Sequence, residues 1–403
     1  MENTLIIGAG GVGAATSHKC AQHNDVLGDI CLASRTVSKC EAIVASVRAM
    51  GNMKDPSRGL TSARVDAKDG VALVELIRAT GSGIVLNVGS PYCNLAIIEA
   101  CLETGAHYLD TAVYEAQGVV GEPPPWYANY EWKYRDRFAA RGVTGILGIG
   151  FDPGAVNAFC AYARKHLIDE IDSIDIMDVN GGSHGRYFAT NFDAETNLRE
   201  IMEDAIYWED GRWVRIPCHS KSRDYDFPRV GRQTVYSMGH DELHSLARNI
   251  PARRIEFWMG FNERYIQVFT ALKELGFLSH EPVEVEGTPV IPIKMVKALL
   301  PEPASLAADY SGEVCIGCLI KGRGGGTPRE LFVYTTCDHR ACYREIGSQA
   351  IAYTTAVPVV TAALLIRDGR WNSGTLVNVE ELDPDPFMEL MPGVGLDWAV
   401  REA

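Results

Sequence analysis

Short apolar runs alternate with longer amphipathic segments through the first 150 of the 403 residues. The runs have the length of strands buried on both faces, and the segments between them have the length and periodicity of helices. This alternation predicts an α/β fold, a doubly wound parallel sheet covered by helices. The predicted strands lie at residues 4–7, 29–33, 62–66, 83–88 and 106–110, and the predicted helices at 12–22, 38–50, 68–79 and 95–104.

The pattern changes near residue 150. An amphipathic helix is predicted at 130–141 and a strand at 144–148. From about Asp172, strand-like runs separated by turn residues predominate, which is typical of an α+β domain. A predicted helix at 343–352 and a strand at 377–381 then resume the first pattern.

The first apolar run continues directly into a glycine-rich turn, residues 8–13. In a dinucleotide-binding fold the first glycine forms the tight turn, the second lets the backbone approach a pyrophosphate, and the third lets the helix pack on the strand. The helix would also offer free N–H groups to the phosphates. An ordinary strand–turn–helix is the alternative, but the position favours a Rossmann fold. The predicted phosphate-binding residues are Gly8, Gly10, Gly11, Val12 and Gly13.

This interpretation gives a domain organisation. Residues 1–150 form a predicted NADP-binding Rossmann domain, and the segment 343–403 returns to it. Residues 151–342 form a predicted α+β domain for substrate binding and dimerisation.

The end of the second predicted strand indicates which dinucleotide is bound. It reads Ser34-Arg35-Thr36, without the acidic residue that would accept a hydrogen bond from the ribose 2′-hydroxyl of NAD. Ser34 can donate to a 2′-phosphate, and Arg35 can pair with it and stack on adenine. A solvated arginine is the alternative for Arg35 alone, but with the missing acid the sequence favours NADP(H).

Further candidates lie where the other predicted strands end, because ligands of such sheets bind at the carboxyl ends of the strands. Asp66 has an alternative interpretation as a helix cap. The predicted cofactor-binding residues at these ends are Asp66, Asn87, Val88, Gly89, Asp110 and Thr111.

The composition is that of a soluble metabolic enzyme, with 46% hydrophobic and 22% charged residues. A net charge of −14 argues against nucleic acid and anionic membranes as partners. The N-terminus shows no secretory signal pattern, and the apolar segment 354–366 contains Pro358 and is shorter than a membrane span. We therefore expect a cytoplasmic protein.

Eleven cysteines are present, and four of them lie close together in the sequence with His339: Cys315, Cys318, Cys337 and Cys342. A zinc site is the alternative to buried thiols. Residues three apart on a strand point to opposite faces, so the first pair is not expected to share a metal. We expect reduced thiols and no metal.

Seven segments of the chain resemble a known family, and the resemblance covers nearly the whole sequence. The chain is similar to the saccharopine dehydrogenase-like family, and its later segments resemble the polyamine-forming branch of that family. The segments are 86–91, 108–112, 150–154, 188–192, 337–339, 347–350 and 380–387.

The resemblance implies an NADPH-dependent reductive condensation. An amine of 1,3-diaminopropane or putrescine would add to the aldehyde of aspartate β-semialdehyde, and the resulting imine would be reduced to a secondary amine. It also implies a homodimer. Gly239 and Ala356 depart from the pattern of that branch, and they put the choice of substrate in doubt more than the chemistry.

This chemistry needs a proton acceptor, a proton donor and negative charge near the amine. Asp152 is the candidate for orienting the amine, and a turn-forming role is its alternative. His240 and His184 are candidate acids or bases, each with a purely structural alternative. Asn191 is the candidate for binding the amino-acid head, with capping as its alternative, and Tyr114 is expected to face the nicotinamide.

Three questions stay open at this point. Arg199, Arg264 and Arg344 are equivalent candidates for binding a carboxylate. The acidic pairs 203–204 and 241–242 are interpreted as solvated helix faces, with electrostatic attraction of the diamine as the alternative. A saccharopine-type or opine-type reductase with another amine–aldehyde pair, or a non-catalytic NADP-binding scaffold, remain alternative functions.

Overall fold

The computed structural model describes residues 2–117, 119, 121–192 and 194–402. These form 18 strands, 15 α-helices and four short 3₁₀ helices. The strands are β1 (Asn3–Ile7), β2 (Ile30–Ser34), β3 (Leu60–Arg64), β4 (Ser82–Asn87), β5 (His107–Asp110), β6 (Gly145–Leu147), β7 (Glu170–Asn180), β8 (Ala205–Glu209), β9 (Arg212–Ile216), β10 (Ser222–Phe227), β11 (Gly231–Met238), β12 (Ala252–Gly260), β13 (Val283–Val285), β14 (Thr288–Val290), β15 (Glu313–Gly324), β16 (Thr327–Asp338), β17 (Leu376–Asn378) and β18 (Trp398–Glu402).

The helices follow the same chain order. They are α1 (Gly11–Ala21), α2 (Asn24–Leu27), α3 (Val37–Ala49), α4 (Gly70–Thr80), α5 (Asn94–Thr104), α6 (Trp126–Asn129), α7 (Arg135–Arg141), α8 (Ala155–His166), α9 (Ala194–Met202), α10 (Leu243–Asn249), α11 (Glu263–Glu274), α12 (Pro292–Leu299), α13 (His339–Ile346), α14 (Ala350–Arg367) and α15 (Asp385–Val394).

The first sheet has seven strands in the order β17-β6-β5-β4-β1-β2-β3, and all its strand pairs are parallel. Apolar residues fill both of its faces, as expected for a parallel sheet covered by helices. The predicted doubly wound fold is confirmed. The third strand lies two residues earlier than predicted, so Asp66 lies beyond its end rather than in it.

The second sheet has nine strands and mixed pairing. Its central path is β10-β11-β12-β7-β15-β16-β18, with β8 paired to β12 and β9 paired to β8. β7 and β12 are parallel, and the other pairs are antiparallel. This is the predicted α+β part of the fold.

The C-terminal segment contributes to both sheets, since β17 pairs with β6 and β18 pairs with β16. The predicted helix at 343–352 is wrong. Gly347, in the left-handed conformation with a φ of 68°, ends α13, and Gln349 caps a new helix, α14. The domain boundaries remain a prediction.

Helix α14 is longer than the apolar segment predicted from the sequence. Its 18 residues are long and apolar enough to cross a bilayer by length and composition, and 83% of them are buried inside the protein. It packs against α1 and α15 and so joins the cofactor-binding helix to the C-terminal segment.

Candidate active site

The glycine-rich turn has the shape that a pyrophosphate requires. Gly8 has a φ of 117°, and a β-carbon there would lie 2.7 Å from the Gly89 nitrogen. A β-carbon at Gly13 would overlap the Gly8 carbonyl oxygen, whereas Gly10 faces open space. No side chain caps the start of α1, so its first N–H groups are available to phosphate. Gly11 and the half-buried Val12 form that first turn. The turn therefore fits a dinucleotide.

The end of β2 carries the residues predicted to bind the 2′-phosphate. The Ser34 hydroxyl bonds to the backbone of Thr36, at 3.1 Å to its oxygen and 3.2 Å to its nitrogen. Arg35 is exposed and makes no ion pair within the described ranges. Arg64, opposite Ser34 in β3, is a second exposed cation that the sequence analysis missed. Asp66 accepts from the Lys68 N–H at 3.1 Å, which matches its alternative role as a local cap.

Two of the residues predicted to contact the cofactor hold the loops that form the site. Asn87 is buried and bonds to Asn94 at 2.8 Å and to the Gly89 N–H at 3.3 Å. Asp110 is buried, and it accepts from the Gly148 N–H at 2.6 Å and the Tyr108 hydroxyl at 2.8 Å. The carboxylate of Asp110 is thus directed into the sheet, because the sheet and the loop after β6 supply its partners.

Two further predicted residues also lie at these strand ends. Val88 is buried, and Thr111 is half-buried beside Gly150. Their place at the carboxyl edge agrees with the prediction, while their contact with a cofactor stays a prediction.

Three acidic side chains, buried Glu242 and the half-buried Asp152 and Asp178, surround His240 at the carboxyl edge of the first sheet. Asp152 lies in the turn after β6, Asp178 lies near the end of β7, and Glu242 lies just before α10. The imidazole Nδ1 of His240 is 2.5 Å from Glu242 Oε2, and its ring stacks on Phe257 with 4.0 Å between centroids. We call Asp152, Asp178, His240 and Glu242 the inner cluster.

Three oxygens of the inner cluster are buried without a hydrogen-bond partner in the described part of the chain. They are Asp152 Oδ2, Asp178 Oδ1 and Glu242 Oε1. A buried, unpartnered carboxylate oxygen is costly, so three together indicate a place for a cationic, hydrogen-bond-donating ligand.

The inner cluster strongly perturbs the pKa values of its members. Burial and the neighbouring Asp178 raise the pKa of Asp152 well above its usual range, against the opposing effect of His240. Burial raises the pKa of Asp178 to about 7. Burial disfavours the His240 cation, but Glu242 and Asp152 outweigh that effect and raise its pKa to about 10. At neutral pH His240 is therefore an imidazolium, and the two aspartates hold a proton.

Further carboxyl groups extend the inner cluster outward. Burial raises the pKa of Glu200 to about 8 and that of Asp241 to about 7. Asp241 accepts from the Val113 N–H at 2.8 Å, and Glu242 is fully buried. The prediction that 241–242 is a solvated face is wrong, because this pair turns inward between β11 and α10. We call Glu200 and Asp241, together with Glu115 of the loop after β5, the outer cluster.

The loop after β5 connects the two sheets across the cleft. The Tyr114 N–H donates to buried Glu131, and its ring lies 4.7 Å from that of Tyr130. Arg199 of α9 contacts Glu115 of this loop at 2.5 Å and the Tyr92 hydroxyl at 2.9 Å. Tyr114 is thus held at the cleft, and its contact with the nicotinamide stays a prediction.

Asn191 and His184 belong to a separate network. The Tyr310 hydroxyl donates to Asn191 Oδ1 at 2.6 Å and accepts from Asn180 at 2.8 Å. The His184 ring packs edge-on against Tyr310 at 5.2 Å, and burial lowers the pKa of His184. The amide of Asn191 is thus engaged with Tyr310 rather than with the inner cluster.

The cysteines are free thiols. Cys315 and Cys318 lie in different apolar clusters on opposite faces of β15, and Cys318 contacts Cys160 at 3.6 Å. Cys337 and Cys342 are 3.1 Å apart. Among the described residues, no group of three or more His, Cys, Asp or Glu side chains is placed to hold a metal ion.

Two family models match the chain. The saccharopine dehydrogenase NADP binding domain matches residues 4–146, and the saccharopine dehydrogenase C-terminal domain matches residues 150–396. The prediction of NADP(H) as cofactor is confirmed by the first match.

Three curated relatives align over 399 residues, which is 99% of this chain. This chain is 50% identical to carboxynorspermidine synthase of Vibrio alginolyticus and 49% identical to that of Vibrio cholerae, and each alignment covers 96% of the relative. It is 44% identical to carboxyaminopropylagmatine dehydrogenase of Synechocystis, covering 97% of it.

Two solved structures share the fold. Saccharopine dehydrogenase (L-Glu forming) of Saccharomyces cerevisiae has a TM-score of 0.69 and 14% identity, and the match covers 100% of both chains. Homospermidine synthase of Legionella pneumophila, solved with NAD, has a TM-score of 0.70 and 13% identity, covering 100% of this chain and 91% of that one. The protein is an NADP-binding oxidoreductase, and the chain belongs to the saccharopine dehydrogenase family.

Proposed function

We propose that this enzyme joins aspartate β-semialdehyde to a diamine, 1,3-diaminopropane or putrescine, and reduces the product with NADPH to carboxynorspermidine or carboxyspermidine in polyamine biosynthesis. The observation that carries the proposal is the set of unpartnered oxygens on Asp152, Asp178 and Glu242. The names of the Vibrio relatives support the same reaction.

The charges of the cleft suit a diamine. A diamine carries two positive charges at neutral pH and no carboxylate. The inner cluster would receive the reacting amine, and the outer cluster would attract the distant ammonium group. His240 and Arg199 pair with two of these six carboxyl groups. Because burial raises the pKa of the other four, a bound diammonium ion would favour their ionised form. An anionic co-substrate at this position would meet repulsion.

The condensation needs one proton removed and one delivered. The amine must lose a proton before it attacks the aldehyde carbon, and the Asp152–Asp178 pair provides the carboxylate that accepts it. The carbinolamine then loses its hydroxyl as water, which requires a proton at that oxygen. The His240 imidazolium is the donor, since its Nδ1 is held by Glu242 and its Nε2 has no partner within the described ranges.

Reduction completes the reaction. NADPH, held by the glycine turn at 8–13 and by Ser34 and Arg35, would supply the hydride that reduces the imine carbon. The proton that the Asp152–Asp178 pair took from the amine would pass to His240, which gave its own proton to the departing hydroxyl. A protonated imine accepts hydride most readily, and the carboxylate so restored on Asp152 stabilises that positive charge. The hydride, with its two electrons, forms the new C–H bond at the imine carbon. The nitrogen already carries its proton, so the product is the secondary amine.

The chief rival is a saccharopine-type reductase, in which the amine partner carries a carboxylate. The inner and outer clusters disfavour such a partner. The amine could also carry a guanidinium group, as the name of the Synechocystis relative indicates for that protein. A scaffold without turnover would leave the perturbed pKa values of the inner cluster without a use.

The proposal is tested by NADPH consumption with aspartate β-semialdehyde and each of three amines, namely 1,3-diaminopropane, putrescine and agmatine. We expect consumption only when aldehyde and amine are both present, and the ratio of rates identifies the amine. Consumption with 2-oxoglutarate plus lysine instead would establish the saccharopine-type rival. Tight NADPH binding with no consumption in any mixture would favour the scaffold.

The assembly proposed for this enzyme is a homodimer. Large apolar side chains are exposed on and beside α11 and α12, including Leu275 at 73% and Leu299 at 80% exposure, and such surfaces are common at subunit contacts. Light scattering on the purified protein tests this, and the mass of a single chain would contradict it.

A further inference from the structure

A second recess lies beyond the inner cluster, at the end of the second sheet. Its volume is about 550 Å³. Two segments form its walls: residues 182–189, which follow β7, and residues 262–267, which begin α11. We call it the arginine pocket, because Arg186 and Arg264 line it.

The topology places the arginine pocket beside the inner cluster. β7 and β12 are parallel neighbours, with Met259 opposite Asp178, so the segments that leave them emerge at the same edge. Phe257, which stacks on His240, is also on β12. Gly182 follows Asp178 by four residues, a span of roughly 13 Å for an extended chain. The long side chains of Arg186 and Arg264, which line the pocket, reach across part of that distance, and the four-carbon aldehyde has only the remainder to span.

A side-chain contact links the same two regions. The Tyr265 hydroxyl, in the pocket wall, donates to Asn197 of α9 at 3.0 Å. Glu200 of the outer cluster lies three residues further along α9, on the same face of that helix. The wall of the arginine pocket is therefore continuous with the acidic cleft.

The charge of the pocket is opposite to that of the cleft. Arg186 and Arg264 are exposed in the pocket and make no ion pair within the described ranges. The Arg264 guanidinium lies over the Tyr187 ring, 4.7 Å from its centre, which keeps it at the pocket wall. Glu263 also lines the pocket, and it bonds to Gln267 at 3.0 Å.

We propose that the arginine pocket binds the α-carboxylate of the amino-acid half of the substrate and product, with Arg264 as the principal cation and Arg186 as the second. The inference rests on the proposed function, since that reaction brings an amino-acid head and an amine tail into one molecule. The product then lies with its tail among carboxylates and its carboxylate among arginines.

The other two arginines are already used or lie elsewhere. Arg199 bonds to Glu115 and Tyr92, and its positive charge is balanced by carboxylates on both sides. Arg344 is exposed on α13 and does not line the pocket. Guanidinium groups bind carboxylates with paired, charge-assisted hydrogen bonds, so a free arginine at the pocket wall is the better candidate.

The test compares R264Q with R232Q, a control at an exposed arginine that pairs with Asp224 on β10. We expect R264Q to raise KM for aspartate β-semialdehyde about tenfold or more, with KM for the diamine and the affinity for NADPH unchanged. R232Q should leave all three unchanged. An R264Q/R186Q double variant with an unchanged KM for the aldehyde, or a rise confined to R199Q, would overturn the inference.

A binding measurement separates this inference from the proposed function. L-Homoserine carries the same amino-acid head and lacks the reactive aldehyde, so its calorimetric binding to the NADP⁺-loaded enzyme needs no turnover. Loss of this binding in R264Q supports the pocket even if the amine partner is another compound. Turnover by the wild-type enzyme with unchanged homoserine binding in R264Q would contradict the pocket alone.

Discussion

The His240 imidazole and the buried Glu242 carboxylate form a hydrogen-bonded ion pair, with 2.5 Å between Nδ1 and Oε2. The stacked Phe257 ring covers one face of the imidazole. This pair fixes which ring nitrogen is engaged and leaves Nε2 for the substrate. It also keeps the cation stable far above the pH at which a free histidine loses its proton.

The first prediction concerns the variant E242Q. The amide keeps the shape and the hydrogen bond but removes the charge that raises the pKa of His240 to about 10. Burial then lowers that pKa, so the proton donor is lost at lower pH. We expect the alkaline limb of the profile of kcat/KM against pH to move to lower pH, with partial recovery of activity in acid. An unchanged alkaline limb would exclude His240 as the donor.

A stability measurement on E242Q provides the control. The pKa of His240 is higher in the folded protein than its ordinary 6.5, so the pair stabilises the fold fully below that pH, and the contribution is lost as pH rises through about 10. The wild-type advantage in free energy of unfolding over E242Q should therefore shrink across this interval. An advantage independent of pH would mean that the pair contributes by packing alone.

The second prediction concerns D152N. Loss of the carboxylate removes the proton acceptor and the group that stabilises the protonated imine. We expect kcat to fall by about 10²- to 10⁴-fold, with NADPH affinity retained. The control is D172N, at an exposed aspartate that pairs with Arg253 at 2.9 Å. If D152N turned over at the wild-type rate, Asp152 would be only a turn-forming residue.

The third prediction concerns R35Q at the end of β2. Loss of one charge-assisted contact to the 2′-phosphate should weaken NADPH binding about tenfold or more and leave NADH binding unchanged. R78Q is the control, because Arg78 is an exposed side chain of α4 that pairs with Glu103 at 3.0 Å. Fluorescence titration with both cofactors measures the effect. Equal weakening of NADPH and NADH would show that Arg35 does not contact the 2′-phosphate.

The fourth prediction separates two glycines of the same turn. A β-carbon at Gly10 meets open space, so G10A should keep its free energy of unfolding and lose NADPH affinity. A β-carbon at Gly13 overlaps the backbone of Gly8, so G13A should lose about 1–3 kcal/mol of stability. G70A, in open space at the start of α4, is the control for both. Wild-type NADPH affinity in G10A would contradict the assigned phosphate position.

The sequence predicts the first sheet well because each of its elements is encoded locally. The runs of strands, the helices between them and the glycine turn all follow from spacing within about 20 residues. The absence of an acid beside Ser34 indicates NADP for the same reason. The missed break at Gly347 is also local, and a single glycine inside an amphipathic segment was too weak a signal to reveal it.

The acidic cleft is less predictable because distant elements build it. Asp152 and His240 stand out by motif and residue type, whereas Asp178 and Glu200 lie among ordinary polar positions of β7 and α9. The pairing of β7 with β12 and of β12 with β11 brings Asp178 close to His240, and no local pattern encodes that pairing. Asn191 is the opposite case, because it lies in a segment that resembles the family, yet its side chain bonds to Tyr310 and not to the inner cluster.

The central claim is that hydride from NADPH reduces an imine formed from an aldehyde and an amine in the acidic cleft. The most direct measurement uses NADPH deuterated at the transferable position, with aspartate β-semialdehyde and the preferred diamine, and mass spectrometry of the products. We expect one deuterium in a secondary amine, on the carbon that was the aldehyde carbon. Deuterium found instead in homoserine, the alcohol of the same aldehyde, would contradict it.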